Sequence, residues 1–190
     1  MQPVEITADE GEVRNRAMTD DERAAAFAQL ADRHLARAWR LAGVLLGSET
    51  EAQDAVQDAA AAAWERFGSL RDRERFDAWF DRILVNGCRD RLRRRTRLRF
   101  VDLAGAPEGS APDGSSSLAE RDAIRHALAA LPAEQRIAVS LRYYGDLSLD
   151  EIADRTGERL GTVKSRLHYG LEALRAAYDA AGRPPGEASR

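Results

Sequence analysis

One stretch of the sequence, from Ser148 to Tyr178, predicts two helices joined by a tight turn. Ser148 and Glu151 have the spacing at which a hydroxyl and a carboxylate satisfy free backbone N–H groups at a helix start. Gly157 indicates a turn, because glycine adopts a positive φ at little cost. Apolar residues then recur at every third or fourth position, as in a helix with one buried stripe: Val163, Leu167, Leu171, Leu174 and Tyr178.

The second helix of this pair carries cationic and hydrogen-bonding residues on its outer face, among them Lys164, Ser165, His168 and Tyr169. A short helix, a turn with glycine and a helix of this kind form the helix-turn-helix motif, which places its second helix in the DNA major groove. An ordinary helical hairpin with a solvated polar face has the same pattern, so the pattern alone is only moderately specific.

Basic charge is concentrated in one segment of an acidic chain. The formal net charge is −3, yet residues 89–99 contain seven arginines, whereas the N-terminal tail and residues 100–122 are acidic. Guanidinium groups form forked hydrogen bonds with phosphate, so this cluster favours a local contact with DNA over a merely solvated helix end.

The rest of the chain shows helical periodicity, and no convincing stretch alternates with period two. Thr19 has the spacing of a helix start with Glu22, as Ser48 has with Glu51, and Gly47 is expected to end the first helix. The predicted fold is all-α, with two small helical domains and a linker. The boundaries are a flexible acidic tail at 1–18, a first domain at 19–99, a linker at 100–117, a second domain at 118–180 and a tail at 181–190.

The predicted linker is rich in Gly, Ser, Pro and Asp and has little apolar surface to bury. Its seventeen residues from 101 to 117, when fully extended, span roughly 55–60 Å at ~3.3 Å each. DNA rises about 3.4 Å per base along each strand. The linker is therefore long enough to let two domains reach sites about one and a half to two turns of DNA apart.

The helix predicted from Phe76 to about Arg97 has a polar ridge beside its buried side. Phe76, Phe80, Ile83, Leu84, Gly87 and Cys88 form the predicted buried side, and Trp79, Arg82, Asn86, Arg89 and Arg93 form the ridge. An aromatic ring caps a base stack, an amide reads a base edge and guanidinium groups bind phosphate, so the ridge suits melted DNA. A core position for Trp79 fits the pattern equally well.

Two sets of residues resemble one protein family. Leu131-Pro132, Arg136, Leu141–Tyr144, Leu147-Ser148, Glu151–Ala153 and Gly161–His168 resemble region 4 of bacterial sigma factors of the extracytoplasmic-function (ECF) group. Phe76, Trp79-Phe80, Ile83, Asn86, Asp90 and Arg93-Arg94, with Ala52, Asp54, Gln57 and Trp64 upstream, resemble region 2 of the same group. Both sets occur in the family's order, with a linker between them, which is more specific than either alone.

The resemblance implies a factor that binds core RNA polymerase, directs it to a promoter with −10 and −35 elements and helps to melt the −10 element. It assigns −35 contacts to Arg159, Thr162, Lys164, Ser165, Arg166, His168 and Tyr169. It assigns −10 contacts to the ridge Trp79, Arg82, Asn86, Arg89 and Arg93, and to the preceding loop residues Ser69, Leu70, Arg71 and Arg73. In the family this loop receives a flipped base.

The resemblance also implies partners. Asp54, Gln57 and Asp58 are expected to dock on the β′ clamp helices of core RNA polymerase, with the β subunit as a second contact and promoter DNA as a third partner. A solvated helix face is the alternative for these three residues. Whether an anti-sigma protein also binds is left open by the sequence.

The sequence departs from the family pattern at several sites, among them Tyr169 and Gly170, where Arg and Ala are usual. Ala55 and Ala60 replace larger apolar residues, so the polymerase contact or the packing there is expected to be weaker. Arg159 and Leu160 replace the small polar residue and its polar neighbour that often begin the recognition helix. The cap is therefore poor, and this helix is expected to begin a residue or two later.

The sequence contains no recognisable active site. The three histidines (34, 126 and 168) are far apart, and none has a metal-ligand spacing with Cys88, the single cysteine. A glycine-rich phosphate loop and a nucleophile elbow are also missing. We therefore expect a protein that is not an enzyme and needs neither cofactor nor metal.

No apolar run approaches the ~20 residues that span a membrane, and no secretory signal is visible, so we expect a cytoplasmic protein without membrane contact. The alternative to a sigma factor is a two-domain helix-turn-helix regulator that binds duplex DNA without polymerase. A sensor pocket or a dimer seam in the first domain would favour that alternative.

Overall fold

The computed structural model describes residues 19–101 and 116–181, and every regular element in these ranges is helical. The helices are α1 (Asp20–Leu46), α2 (Glu49–Arg66), α3 (Phe76–Val101), α4 (Ser116–Ala130), α5 (Ala133–Tyr143), α6 (Leu149–Thr156) and α7 (Leu160–Ala181), with 3₁₀ turns at Phe67–Ser69 and Arg73–Arg75. The all-α prediction is confirmed. The predicted N-terminal tail, most of the predicted linker and all but the first residue of the predicted C-terminal tail lie outside the described residues.

The predicted helix ends are set by local hydrogen bonds. The Thr19 side chain accepts from the backbone N–H of Glu22, whose carboxylate accepts in return from the Thr19 N–H at 2.9 Å. Gly47 closes α1 with φ 69°. Ser48 caps α2 by accepting from the Glu51 N–H at 3.3 Å, but the Glu51 carboxylate does not return the bond, and one of its oxygens pairs with Arg95 at 2.6 Å.

The first half of the molecule packs α1, α2 and α3 around a common core. Leu41, Leu45, Phe80 and Leu84 are almost completely buried. The inner face of α2 consists mostly of alanine, and Ala55 is only 1% exposed. The alanine that departs from the family pattern is therefore a core residue, and its small size lets the neighbouring helices approach α2 closely.

The second half packs α7 against α4, α5 and α6. Gly170 of α7 is buried, and a Cβ added there would lie 2.8 Å from Cγ2 of Val139 and 3.3 Å from Cβ of Gln135. Glycine at this position is therefore required by the close approach of α7 to α5.

One prediction for α7 is wrong. Tyr178 was expected to continue the buried stripe, but it is 43% exposed. Val163 and the buried Gly170 are seven residues apart, and the half-buried Ala177 continues that heptad spacing. In packed helices the contacting residues recur about every 3.5 residues. Ala177 has this spacing from Val163 and Gly170, whereas Tyr178 does not.

The two halves contact each other through α1, α3, α5 and α6. Leu45 and Leu92 of the first half belong to the same buried apolar cluster as Ile137, Leu141 and Ile152 of the second half. Arg136 of α5, itself buried, donates to the backbone oxygen of Leu45 at 3.2 Å. The polar surfaces of the two halves are therefore close enough to interact directly.

Candidate nucleic-acid interface

The turn between α6 and α7 has the geometry of a helix-turn-helix. The capping box of Ser148 and Glu151 begins α6, and hydrogen bonds from the Ser148 hydroxyl and backbone hold the pKa of the Glu151 carboxyl below its ordinary value. Gly157 ends α6 with φ 71° and donates its N–H to the Ala153 oxygen. The next helix begins at Leu160, and the Arg159 oxygen accepts from the Val163 N–H at 3.1 Å, so Arg159 occupies the N-cap position and the helix does not start later as the sequence predicted.

Most of the residues assigned to −35 contact lie on the solvent side of α7 and its start. Arg159, Thr162, Lys164, Ser165, His168 and Tyr169 are exposed, whereas Val163 behind them is 1% exposed. Tyr169 has 58% of its surface accessible. The Ser165 hydroxyl donates back to the Gly161 oxygen at 3.0 Å, which leaves its lone pairs available as acceptors.

Arg166 differs from the other residues of this set. It is half-buried and pairs with Glu134 of α5 at 3.0 Å and with Glu158 in the turn before α7. A residue assigned to DNA contact is thus held by carboxylates within the chain.

The loop before α3 contains the residues assigned to a flipped base. Ser69 and Arg71 are exposed, and the Ser69 hydroxyl donates to the Arg66 oxygen at 2.6 Å. Leu70 is half-buried against the core. Arg73 is exposed, with its guanidinium 5.3 Å from the ring centroid of Phe67. The loop therefore presents polar groups beside a partly covered apolar residue.

The N-terminal part of the α3 ridge, from Trp79 to Asn86, lines an open groove. Trp79, Arg82 and Asn86 form part of a groove of about 620 Å³ between α2 and α3, together with Asp58 and Arg94. Trp79 is half-buried, and its ring lies 5.8 Å from that of Phe76. Trp79 therefore packs on the core and borders the groove at once, which combines the two interpretations of this residue.

The C-terminal part of the α3 ridge faces the second half. It consists of Arg89 and Arg93 and is called the lower ridge below. The Arg89 guanidinium donates to Glu134 at 3.1 Å, to Glu158 at 3.2 Å and to Asn86 at 2.8 Å, and its side chain is only 11% exposed. Arg93 reaches the other oxygen of Glu134 at 2.6 Å. Sequence reasoning missed both glutamates, and the only available signal was their acidic character within an otherwise cationic site.

A buried ion pair fastens α3 to α6. Arg155 donates from Nε to Asp81 at 3.1 Å, and the two side chains are 5% and 4% exposed. Arg37 of α1 donates to the same carboxylate oxygen at 2.9 Å. The sequence pattern did not predict this pair, since Asp81 falls between the buried side of α3 and its polar ridge.

The residues assigned to polymerase docking share the outer face of α2. Asp54, Gln57 and Asp58 are all exposed, while Ala55 and Ala59 on the opposite face are buried. Asp58 pairs with Arg91 of α3. This face is therefore a polar surface with net negative character on a helix whose inner side is in the core.

Three further observations concern metal binding, cysteine reactivity and membrane spanning. Within 19–101 and 116–181, no cluster of three or more His, Cys, Asp or Glu residues is placed to hold a metal ion. Burial raises the pKa of the Cys88 thiol to about 12, which keeps it protonated and poorly nucleophilic at neutral pH. In the same ranges, none of the helices has both the length and the apolar character needed to cross a bilayer.

Both halves match models of one protein family. The model described as Sigma-70 region 2 matches residues 30–98, and the one described as Sigma-70, region 4 matches residues 121–174. The ECF RNA polymerase sigma factor SigL of Mycobacterium tuberculosis (strain H37Rv) is 40% identical over 157 residues, which are 80% of this chain and 88% of the relative. SigW of Bacillus subtilis (strain 168) is 32% identical over 163 residues, covering 79% and 87%.

Solved structures agree with this assignment. The sigma factor RpoE of Bartonella quintana, crystallised with the anti-sigma factor NepR, superposes with a TM-score of 0.65 at 27% identity, over 83% of this chain and 98% of that one. CnrH in complex with the cytosolic domain of CnrY gives a TM-score of 0.59 at 29% identity, over 83% and 95%. Family models, relatives and fold thus agree over both halves, and the chain belongs to the sigma-70 family of RNA polymerase sigma factors, in its extracytoplasmic-function group.

Proposed function

We propose that this sigma factor binds core RNA polymerase, directs it to promoters by recognising −35 and −10 elements, and assists melting of the −10 element. The observation that carries the proposal is the exposed polar face of α7, which follows a tight turn at Gly157 and lies opposite the buried Val163. A helix presented in this way fits the major groove.

Recognition of the −35 element is assigned to Lys164, Ser165, His168 and Tyr169, with Arg159 and Thr162 at the start of the helix. Lys164 supplies a cation for phosphate or guanine, the Ser165 hydroxyl accepts hydrogen bonds from base edges, and the Tyr169 hydroxyl can accept or donate them. Because all of them are exposed in the free chain, no rearrangement of α7 itself is needed for contact.

Recognition of the −10 element is assigned to the groove between α2 and α3 and to the loop before α3. An indole at the edge of a groove offers a flat surface to a base at a strand junction, and Arg82 beside it offers a cation to the backbone. Ser69, Leu70, Arg71 and Arg73 supply hydrogen bonds, one apolar contact and positive charge to an unstacked base.

The exposed face of α2 at Asp54, Gln57 and Asp58 is the proposed contact with the β′ clamp helices, and the β subunit is the proposed contact of the second half. Relatives carry RNA polymerase in their names, and RpoE was solved with an anti-sigma factor, so an inhibitory protein of that kind is a further proposed partner. A cytoplasmic location follows from the proposed role, because bacterial transcription takes place there.

The test is transcription in vitro with purified core RNA polymerase on genomic fragments, with start sites mapped. We expect initiation only when the chain is added, at sites that share two upstream elements. Tight retardation of duplex promoter DNA by the chain alone, with no stimulation of polymerase, would instead establish the helix-turn-helix regulator.

A further inference from the structure

Arginines from both proposed DNA-binding faces converge on the same two carboxylates. Arg89 and Arg93 of the α3 ridge and Arg166 of α7 all pair with Glu134, Glu158 or both. The side chains of Glu134 and Glu158 are only 21% and 16% exposed, so both carboxylates are largely shielded from solvent where the two halves meet.

We propose that Glu134 and Glu158 act as internal substitutes for DNA phosphate, which hold the two halves of the free factor closed and keep the lower α3 ridge away from DNA. The proposal rests on the function proposed above, since it assumes that the ridge contacts DNA. A carboxylate presents two oxygens to a guanidinium as a phosphate does, so the arginines that would bind the nucleic acid backbone are already satisfied.

The closed arrangement also covers the ridge sterically. Arg89 lies close enough to donate to the Thr156 oxygen at the C-terminal end of α6, at 3.4 Å. A Cβ added at Gly157 would lie 3.2 Å from Nη2 of Arg82, so the turn of the helix-turn-helix rests against the ridge. DNA cannot reach the Arg89 guanidinium until α6 and its turn have moved away.

The charge balance makes this contact reversible rather than permanent. Three guanidinium groups share two carboxylates, which leaves the cluster cationic. Arg93 remains 54% exposed, and salt screens ion pairs that water can reach. A polyanion therefore competes with the glutamates for the same arginines, and polymerase can shift the equilibrium by holding the halves apart.

The test uses the full chain with Glu134→Gln and Glu158→Gln combined, which keeps side-chain size and removes the charges. The matched control is Glu49→Gln with Glu65→Gln, which removes two charges from exposed sites on α2. Dyes attached to Ala36→Cys on α1 and Ala176→Cys on α7, both exposed positions, report separation of the halves by energy transfer. The buried Cys88, with its raised thiol pKa, should not react with the dyes.

We expect the Glu134 and Glu158 variant to show lower transfer efficiency than wild type and roughly tenfold tighter binding of a random-sequence single-stranded 20-mer at low salt. The control should stay within about twofold of wild type in binding. Circular dichroism checks that helical content is unchanged. In the wild-type chain, raising NaCl from about 0.05 M to about 0.5 M should itself lower the transfer efficiency.

Equal transfer efficiency in both variants, or equal gains in DNA affinity, would overturn the proposal. If the variant unfolds, the salt series on wild type still decides the matter, because a transfer efficiency independent of salt contradicts an ionic closure. Failure of the chain to stimulate polymerase would count against the proposed function and leave these optical readings unaffected.

Discussion

The outer face of α7 and the ridge of α3 are both polar, cationic faces of long helices, yet in the free chain the α3 ridge is covered at Arg89 while the outer face of α7 is open at Lys164 and Tyr169. Lys164 and Tyr169 are exposed, whereas the Arg89 side chain is 11% exposed and paired with Glu134 and Glu158. The difference lies in the neighbours, since α3 packs against α5 and α6. Periodicity tells which face of a helix is polar, but only the tertiary structure tells whether that face is free.

The largest expected effect comes from a charge placed on the inner side of α7. Val163→Asp should lower the free energy of unfolding of the second half by about 3 kcal/mol or more, because an unpaired carboxylate is buried among apolar groups. Ser165→Asp introduces the same side chain on the open face and should change stability little. Urea denaturation followed by circular dichroism measures both. Similar losses for the two variants would mean that the open and buried faces of α7 are wrongly assigned.

Breaking the buried ion pair between the halves should have the next largest effect. Arg155→Met leaves the Asp81 carboxylate with fewer partners in a buried site, which typically costs about 3 kcal/mol. Combining it with Asp81→Leu removes both charges and should restore most of the loss. Because separation of the halves lets water reach Asp81, we also expect lower energy transfer in the single variant than in wild type. A double variant that is less stable than Arg155→Met would contradict this account.

A local pattern allowed some features to be predicted from the sequence. The capping boxes at Thr19 and Ser148, the positive φ of Gly47 and Gly157, and the all-helical fold depend on residues within one turn of each other. These features are encoded in short segments, so a single sequence is sufficient to find them.

Other features depend on residues that are distant in the chain. The bonds from Arg89 join positions 45 and 69 residues apart, and no periodicity relates such partners. The misassigned Tyr178 has a related cause, because the seam followed by α7 is set by contact with α5 at Gly170. The proposed site could therefore be located from the sequence, while its closure could not.

Removing base-reading groups from the open face should affect promoter choice without affecting stability. Lys164→Ala and Ser165→Ala should each weaken discrimination between −35 sequences by about 1–3 kcal/mol, the usual value of a good base contact. Binding to core polymerase should be unchanged, because both side chains are exposed and neither packs in the hydrophobic core of the chain. Transcription from a panel of −35 variants measures the effect. If wild type and both variants have identical relative activities across the panel, this face of α7 does not read the −35 bases.

The smallest expected effect concerns linker charge, at residues that lie outside those the structure describes. Asp102→Asn, Glu108→Gln and Asp113→Asn together test whether the acidic linker competes with DNA in the free factor. Screening acts over about 8 Å at physiological salt, so we expect at most about 1 kcal/mol tighter binding to a −35 duplex at low salt. That gain should shrink as salt rises. Equal affinities at low salt would leave the linker as a spacer.

The most direct test of the whole account is the separation of the halves when core RNA polymerase is added to the wild-type chain labelled on α1 and α7. We predict high energy transfer in the free chain and a clear decrease in the polymerase complex, with a further gain in reactivity of unpaired thymines in the −10 element when promoter DNA is present. Unchanged transfer in a complex that initiates transcription would contradict the claim that the α3 ridge is covered at Arg89 in the free factor and uncovered by polymerase.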